Sequence, residues 1–264
     1  MAAVTRTRIY RRSGAPRGIV RAHMATFPAR AGIFRRVVDA ILPQVDRMVI
    51  VFNEMDEVPA DIAANDRIEA ITTDRDTKDL GRFFMPPEPD DIVFLVDDDI
   101  LYPSDYVPQS IERATLIGWE GNVFGYGGMN HRGGDQQGTG WQATGMSQAL
   151  PSARGVRMLG TGSVVARGDA VPSFSEMAPY FGHADVGFAL LNLRAGRKAW
   201  MLPRAERWLR DGMTPELEAS SVSGTLRTRP TLPVIAGIGE IIAAPLDHIG
   251  MAPRTRTKTA QEAT

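Results

Sequence analysis

Two short runs of uninterrupted apolar residues, MVIVF at 48–52 and IVFLV at 92–96, constrain the fold of this chain more than any other feature. Runs of this length are typical of strands and are too short for most helices. A strand that faces solvent on one side alternates apolar and polar residues, whereas a strand covered on both sides is apolar throughout. The two runs therefore predict inner strands of a sheet whose faces are both covered.

Strand-like and helix-like patterns alternate around these two runs. Further apolar runs predict strands at 19–24, 68–71, 123–126 and 199–202, and the segment 156–166 contains the triplet GTG at 160–162 before another apolar run. Apolar residues at helical spacing predict helices at 33–42, 79–84, 110–117 and 186–193. Residues 127–145, with seven glycines, predict a long loop or an irregular hairpin. The alternation is typical of βαβ units, so we predict an α/β fold with a Rossmann-type, mostly parallel central sheet and helices on both faces.

The composition excludes several classes of protein. The 30 Lys and Arg residues balance 31 Asp and Glu residues, for a net charge of −1, so we expect no nucleic-acid partner. The chain has no Cys, which excludes disulfides, thiolate metal sites and Cys nucleophiles. No apolar run reaches the roughly 18 residues of a membrane span, and 1–21 lacks the apolar core of a secretory signal. We expect no transmembrane segment and a cytoplasmic location, with peripheral attachment to a membrane left open.

Three adjacent carboxylates, Asp97, Asp98 and Asp99, directly follow the run at 92–96. Adjacent carboxylates repel one another and are costly to bury, so their position at the end of an inner strand calls for a cation. Neighbouring side chains of an extended chain point to opposite sides, which places Asp97 with Asp99 and Asp98 apart. Oxygen donors without Cys favour Mg²⁺ or Mn²⁺, with phosphate oxygens completing the coordination. The alternative is a solvated acidic turn that caps a helix near Ser104.

The segments that follow the predicted strands are where a ligand is expected, because ligands of open α/β sheets bind at the carboxyl ends of the strands. These segments are 26–30, Asn53, 73–78 and 97–99. Charges of both signs meet there. Residues 46–99 contain sixteen acids against five bases, whereas 1–30 contain seven arginines and no acid. This pattern is compatible with a small, highly charged substrate bound through a metal.

Six segments resemble parts of the GT-A glycosyltransferases. Those similar to the nucleotide-binding half are HMATFPAR at 23–30, LPQVDRMVIVFN at 42–53 and FLVDDDILYPSDYV at 94–107. Those similar to the acceptor half of bacterial members are GTGSVVA at 160–166, HADVGF at 183–188 and PRAERWL at 203–209. The resemblance covers about residues 18–210, and the order of the motifs makes it more specific than the three acids alone.

The resemblance implies a GT-A-like fold with an irregular acceptor-side region, in which the three acids form the DXD motif. It implies an enzyme that moves a sugar from a nucleotide-sugar donor, a UDP-sugar by preference, to a hydroxyl of a glycan or small-molecule acceptor, with Mn²⁺ or Mg²⁺ as cofactor. The expected organisation is a nucleotide-sugar-binding half at 18–107 and an acceptor-binding half at 108–250 of the same domain. A flexible basic arm at 1–17 and a disordered tail at 251–264 would flank them.

The resemblance also assigns residues to the donor, the metal and the acceptor. The donor-side residues are Thr26, Phe27, Pro28, Arg30, Asn53, Asp74, Lys78, Arg82, Asp97 and Asp98. The metal ligands are Asp97 and Asp99, with His248 as a further candidate because Arg204 stands where some members carry a histidine. The acceptor-side residues are Trp141, Gly160, Thr161, Gly162 and His183. Asn53 and Asp74 are also explained as turn residues, and Arg82 as a solvated helix cation.

Asp185 is the candidate general base. An attacking hydroxyl must lose its proton to a positioned carboxylate. By the resemblance an acid stands at the start of this helix, where the helix dipole keeps a carboxylate ionised. With Asp185 as the base, the mechanism is an inverting single displacement, whereas a retaining outcome would give Asp185 another role. The alternative role for the same position is that of a helix N-cap.

Three other functions compete with this interpretation. A sugar nucleotidyltransferase would need a glycine-rich basic loop after its first strand, but residues 24–32 contain a single glycine. A phosphatase with a DxD nucleophile would carry that motif after its first strand, whereas three predicted strands precede Asp97. A catalytically silent carbohydrate- or nucleotide-binding protein would share the metal site and use Asp185 only as a cap.

Overall fold

The computed structural model describes residues 14–133, 140–214, 230–245 and 247–249. Most of the expected N-terminal arm and the whole expected tail at 251–264 lie outside these ranges. The strands of the larger sheet are β1 (Val20–Thr26), β2 (Arg47–Asn53), β3 (Ile68–Thr73), β4 (Ile92–Val96), β6 (Asn122–Gly125), β9 (Arg154–Val156), β11 (Ser163–Arg167) and β12 (Lys198–Met201). The other strands are β5 (Ile100–Leu101), β7 (Gly128–His131), β8 (Trp141–Thr144), β10 (Met158–Leu159) and β13 (Arg210–Asp211).

The α-helices are α1 (Phe34–Ile41), α2 (Ala60–Ala63), α3 (Tyr106–Ile117), α4 (Phe174–Met177), α5 (Ala184–Arg194) and α6 (Leu232–Ala243). Short 3-10 helices occur at Pro28–Arg30, Leu42–Gln44, Lys78–Phe83, Gly168–Ala170 and Ala178–Tyr180.

One mixed sheet of eight strands organises the fold, in the order β3-β2-β1-β4-β11-β6-β12-β9. The first four strands are parallel, and Met24 of β1 lies opposite both Ile50 of β2 and Val96 of β4. Strand β11 is antiparallel to β4 and β6, whereas β12 is parallel to β6 and antiparallel to β9. Six of the eight strands therefore run in one direction. This confirms the predicted α/β class with a mostly parallel sheet.

Side chains of β4 alternate between two hydrophobic cores. Phe94 contributes to the core that α1 and α3 cover, together with Phe34 and Ile111. Its neighbours Val93 and Leu95 contribute to a second core, which the 3-10 helix Lys78–Phe83 and α5 cover. Every residue of β4 is buried. Burial on both faces explains the uniform apolar run, and the prediction of helices on both faces is confirmed.

Some elements differ from the prediction in type or extent. Helix α3 begins at Tyr106 rather than at 110, because Pro108 lies in its first turn, where a missing N–H is tolerated. The helix expected at 79–84 is the 3-10 helix Lys78–Phe83. The glycine-rich segment 127–145 contains the antiparallel pair β7 and β8, and its residues 134–139 lie outside the described ranges.

Helix α6 was not predicted, because its apolar sequence contains Pro233 and two glycines. Val234 is buried in the same apolar cluster as Leu190 of α5, whereas Leu232 and Ile235 are exposed. Across the described residues, none of the helices combines the length and apolar character needed to cross a membrane. Peripheral attachment to a membrane stays a prediction.

Candidate active site

A cleft of about 780 Å³ opens at the edge of the sheet where β1, β2 and β4 end. Part of its lining comes from the segments that follow these strands and from the 3-10 helix Lys78–Phe83. The rest comes from the start of α5, from Thr161 and from two methionines, Met129 and Met158. The cleft thus lies at the carboxyl ends of the parallel strands, where the sequence predicted ligand binding.

The three acids after β4 do not have equivalent surroundings. The side chains of Asp97 and Asp99 remain 33% and 25% exposed and line the cleft. The Asp98 side chain is more enclosed, and its carboxylate accepts a hydrogen bond of 2.8 Å from the Thr26 hydroxyl at the end of β1. Residues 98 and 99 form a turn, and Asp98 lines the same cleft as Asp97 and Asp99. The acids therefore differ in exposure without the alternation expected of an extended chain.

Two buried arginines neutralise the acids. Arg82 Nη2 lies 2.5 Å from Asp97 Oδ1, and Arg30 Nη2 lies 3.2 Å from Asp99 Oδ2. Arg30 is also 3.9 Å from Asp98. Both guanidinium groups line the cleft and are nearly excluded from solvent. Because guanidinium groups bind phosphate as well as carboxylate, the same pair can serve an anionic ligand.

Burial and mutual repulsion shift the protonation of these acids. Burial raises the pKa of Asp98 to about 7, although the hydrogen bond from Thr26 opposes the rise. Burial and the neighbouring charge of Asp97 raise the pKa of Asp99 to about 6. Burial alone would lower the pKa of Arg82, but the charges of Asp97 and Asp79 outweigh it and raise the pKa. Arg82 therefore stays charged. A cation bound near the acids would favour their ionised form.

The donor set of the cleft fits a divalent metal that binds together with a ligand. In the parts of the chain that the structure describes, no three His, Asp or Glu side chains form a metal-binding cluster. Asp97 and Asp99 offer two hard oxygen donors on one side of the cleft. In nucleotide-dependent enzymes Mg²⁺ is commonly held by one or two carboxylates, with phosphates and waters supplying the rest. The site therefore fits a metal shared with a diphosphate, and not a closed all-protein cage.

Asn53, at the end of β2, fixes the loop that precedes the 3-10 helix. Its Oδ1 accepts from the Thr77 N–H at 3.2 Å and from the Thr77 hydroxyl, and its Nδ2 donates to the Lys78 carbonyl at 3.2 Å. The ordinary turn role foreseen for Asn53 is therefore present, and Asn53 also lines the cleft. Lys78 follows with a φ of 44°, and its ammonium lies 5.1 Å from the centre of the Phe181 ring.

Asp185 lies in the first turn of α5 and does not cap that helix. Its Oδ1 accepts both the N–H and the hydroxyl of Thr161, at 2.8 and 2.7 Å. The N-cap residue is His183, which also lines the cleft. Burial raises the pKa of Asp185, and the two bonds from Thr161 reduce the rise. The arrangement gives a carboxylate that is oriented from one side and that faces the cleft beside the three acids.

Gly162 lies directly behind Asp97. A methyl group at this glycine would overlap the Asp97 carboxylate. The Tyr102 hydroxyl joins the same two residues, because it accepts from the Asp97 N–H at 2.9 Å and donates to the Gly162 carbonyl at 2.5 Å. The GTG motif therefore supports the acids after β4. At Gly160, the nearest atom to such a methyl group is 3.9 Å away.

Replacing Gly162 with alanine should displace the Asp97 carboxylate and weaken the Mn²⁺-dependent binding of UDP that the resemblance implies by about 10-fold or more, the scale of a disturbed metal ligand. Isothermal titration calorimetry with and without Mn²⁺ measures the loss. Gly160→Ala is the matched control and should leave this affinity unchanged. Equal affinities of the two variants would contradict the support that Gly162 gives to Asp97.

The structure brings eleven of the predicted residues together in the cleft. They are Phe27, Arg30, Asn53, Lys78, Arg82, Asp97, Asp98, Asp99, Thr161, His183 and Asp185. Thr26 and Gly162 contact members of this group from behind, on Asp98 and Asp97 respectively. Pro28 and Gly160 do not line the cleft.

Three further predicted residues do not line the cleft. Asp74 is exposed and lines a separate pocket of about 430 Å³. Trp141 contacts His131, with ring centres 5.3 Å apart. His248 packs against Trp200 of β12, with ring centres 5.2 Å apart, and β12 is three places from β4 in the sheet. The structure therefore does not bring His248 to Asp97 and Asp99.

Several residues of the cleft were not predicted. Asp76 lines the cleft and accepts a hydrogen bond of 2.8 Å from the Lys78 N–H. Asp79, the residue after Lys78, also lines the cleft. Both fall in or beside the segment 73–78 that follows a predicted strand, so the position of that segment was the available signal. Met129 and Met158 come together only through the pairing of β7 with β10, which no local pattern in the sequence indicated.

No protein-family model and no curated protein matches this chain. Among solved structures it is similar to glucosyl-3-phosphoglycerate synthase from Mycobacterium tuberculosis in complex with Mg²⁺ and UDP. The two chains are 16% identical with a TM-score of 0.47, and the match covers 86% of this chain and 80% of that chain. The same enzyme with Mn²⁺, UDP-glucose and phosphoglyceric acid gives 15% identity and 0.45 over 94% and 87%. A structure described as a mycobacterial protein gives 14% and 0.49 over 92% and 80%. Similarity at this level does not assign a function to this chain.

Proposed function

We propose that this chain is a metal-dependent glycosyltransferase that moves a sugar from a nucleoside diphosphate sugar to a hydroxyl group. The observation that supports this most is the charge arrangement of the cleft. Two partly exposed carboxylates, Asp97 and Asp99, stand beside the buried guanidinium groups of Arg30 and Arg82. The carboxylates can bind a divalent cation, and the guanidinium groups can bind phosphate. A metal ion together with a diphosphate would therefore pair with all four groups, whereas either one alone would pair with only two.

In this proposal Arg30, Lys78 and Arg82 bind the diphosphate. All three line the cleft, and the two arginines are held against the acids after β4. When bound by Asp97 and Asp99, Mn²⁺ or Mg²⁺ would neutralise charge on the departing diphosphate. Phe27 and Asn53 lie beside the cations and would face the nucleoside. UDP is the first nucleotide to test because the resemblance favours a UDP-sugar, although Asp74, one of the donor-side residues it assigns, lies outside the cleft.

Asp185 is proposed as the general base. Both hydrogen bonds from Thr161 end on Oδ1, which leaves Oδ2 to take the proton of the acceptor hydroxyl. The acceptor oxygen forms a bond to the anomeric carbon as the bond from that carbon to the β-phosphate oxygen breaks. The electron pair of the broken bond leaves with the nucleoside diphosphate. This single displacement inverts the configuration at the anomeric carbon.

The acceptor would bind on the side of the cleft that contains Asp185. His183 and Thr161 line the same cleft as Asp185, and the Thr161 N–H donates a hydrogen bond to the Asp185 carboxylate. Met129 and Met158 add an apolar surface, which helps to exclude the water that would otherwise hydrolyse the donor. The acceptor class proposed from the sequence, a glycan or another small hydroxyl compound, is kept here, and Trp141 stays a prediction.

A thermal-shift screen of UDP, GDP and CMP and of UDP-sugars, each with and without Mn²⁺, tests the proposal. A ligand at 100 times its Kd stabilises a protein by about 2.7 kcal/mol, which for a chain of this size raises Tm by about 5–10 °C. We expect such a rise for one nucleoside diphosphate and its sugars only when Mn²⁺ is present. No rise with any nucleotide, or the same rise without metal, would contradict the proposal. Binding without release of nucleoside diphosphate from any donor, in the presence of a panel of sugars and other small hydroxyl acceptors, would favour the silent binding protein.

A further inference from the structure

We propose that Asp79 is a positioning residue that holds the candidate base in register with the donor-binding cations, an inference that rests on the proposed function. Asp79 belongs to the 3-10 helix Lys78–Phe83 and lines the cleft. It is neither a candidate metal ligand nor a candidate base. Its contacts nevertheless connect the two sides of the reaction.

The Asp79 carboxylate binds the backbone at the start of α5. Oδ1 accepts from the Gly182 N–H and Oδ2 from the Ala184 N–H, both at 2.9 Å. The first N–H groups of a helix have no partner within the helix, and a local side chain usually supplies one. The N-cap residue, His183, makes no such bond with its side chain. Asp79, more than one hundred residues earlier in the chain, supplies the cap instead.

The same short helix carries the donor-side cations. Arg82 Nε donates to the backbone carbonyl of Asp79 at 3.1 Å, and Arg82 Nη2 pairs with Asp97 at 2.5 Å. Lys78 directly precedes Asp79. The helix itself packs closely on β1: a methyl group added at Gly81 would lie only 2.8 Å from the Ala25 Cβ. A continuous set of bonds therefore runs from Asp97 through Arg82 and Asp79 to the start of α5.

The base is fixed by two contacts that do different things. Thr161 binds the Asp185 carboxylate and sets its orientation. Asp79 binds the backbone one residue before Asp185 and sets the position of the segment that carries it. Further along, the Phe83 and Phe188 rings lie 6.4 Å apart and join the same two elements by an apolar contact. Loss of the Asp79 bonds should therefore release the cleft end of α5 while the remainder stays packed.

Transfer should be more sensitive to this release than donor binding. A misplacement of about 1 Å in a reacting group can cost about 100-fold in rate. The donor-side groups, by contrast, keep their own contacts: Arg82 still pairs with Asp97, and its bond to Asp79 uses a backbone carbonyl that survives a side-chain change. A positioning role thus predicts a fall in turnover with little change in donor affinity.

The test compares Asp79→Asn and Asp79→Glu with Glu240→Gln. Glu240 pairs with Arg194 at the opposite end of α5, at 2.7 Å, so Glu240→Gln loosens the same helix away from the cleft. Turnover is followed as release of UDP from the UDP-sugar that stabilises the chain most, in the presence of a panel of small hydroxyl acceptors. For Asp79→Asn we expect this release to slow about 10- to 100-fold, with the Kd of UDP in the presence of Mn²⁺ within about threefold of the parent. Hydrogen exchange of the amides at 182–185 should accelerate. Asp79→Glu, which retains a carboxylate, should recover part of the rate, and Glu240→Gln should change neither rate nor affinity.

Four outcomes would overturn the inference. They are faster exchange at 182–185 with unchanged turnover, unchanged exchange, a loss of UDP affinity as large as the loss of turnover, and equal loss in Glu240→Gln. The proposed function fails separately, if the parent chain shows no Mn²⁺-dependent binding of a nucleoside diphosphate. In that case the exchange measurement still decides whether Asp79 holds the start of α5, but its role in transfer falls with the function.

Discussion

Replacing Asp99 with asparagine should abolish the Mn²⁺-dependent part of UDP binding. Asn preserves the size of the side chain but removes the charge that a hard divalent cation requires. Loss of a residue that merely orients a metal ligand costs about 10- to 100-fold in affinity, so loss of a direct ligand should cost at least about 100-fold. Calorimetric titration of UDP at fixed Mn²⁺, and again with a chelator, separates the metal-dependent part from the rest.

The metal-free titration is the decisive control for Asp99. Arg30 pairs with Asp99 at 3.2 Å, so Asp99→Asn frees a guanidinium group that can then bind phosphate. If the acids served only to neutralise the arginines, UDP would bind Asp99→Asn at least as tightly as the parent chain, with or without metal. That result would remove Asp99 from the metal site. Asp61→Asn changes an exposed carboxylate that pairs with Arg35 outside the cleft, and it should leave both titrations unchanged.

The inner strands and the position of the cleft could be predicted from the sequence because both depend on local patterns. Burial on two faces requires an apolar side chain at every position, so the run at 92–96 matches β4 residue for residue. Asp97 and Asp99 then lie at the carboxyl end of an inner strand by chain connectivity alone. Parallel pairing of β1, β2 and β4 brings Arg30 and Asn53 to the same edge. These predictions needed no knowledge of long-range packing.

The contacts that orient the site could not be predicted because they join elements far apart in the chain. The bond from Thr161 to Asp185 spans 24 residues, and those from Asp79 to the start of α5 span 103 and 105. An aspartate in a short polar segment looks the same in the sequence whether it is solvated or caps a distant helix. His248 illustrates the reverse case. Its residue type suits a metal, but the strand order places it beside β12 and away from Asp97.

Replacing Asp185 with asparagine should reduce turnover about 10²- to 10⁴-fold, the usual contribution of a general base, and leave the affinity for UDP and Mn²⁺ unchanged. The amide oxygen of Asn can still accept the Thr161 N–H and hydroxyl, which now bind Oδ1 at 2.8 and 2.7 Å, so the local structure should persist. Release of UDP from the preferred UDP-sugar in the presence of a panel of small hydroxyl acceptors, measured beside calorimetric titration of UDP, separates rate from binding. Retained turnover would remove Asp185 from the role of base.

The pH dependence of the parent chain gives an independent check on Asp185. The base works only when ionised, and burial raises its pKa, so turnover should fall with decreasing pH at a higher pH than an ordinary carboxylate would produce. Asp98 and Asp99 also have raised pKa values, and protonation of either would reduce turnover by weakening donor binding instead. The two causes separate in Asp185→Asn. Its residual turnover at subsaturating donor should lose the acid limb if Asp185 is the base, and should keep that limb unchanged if the limb belongs to the acids after β4.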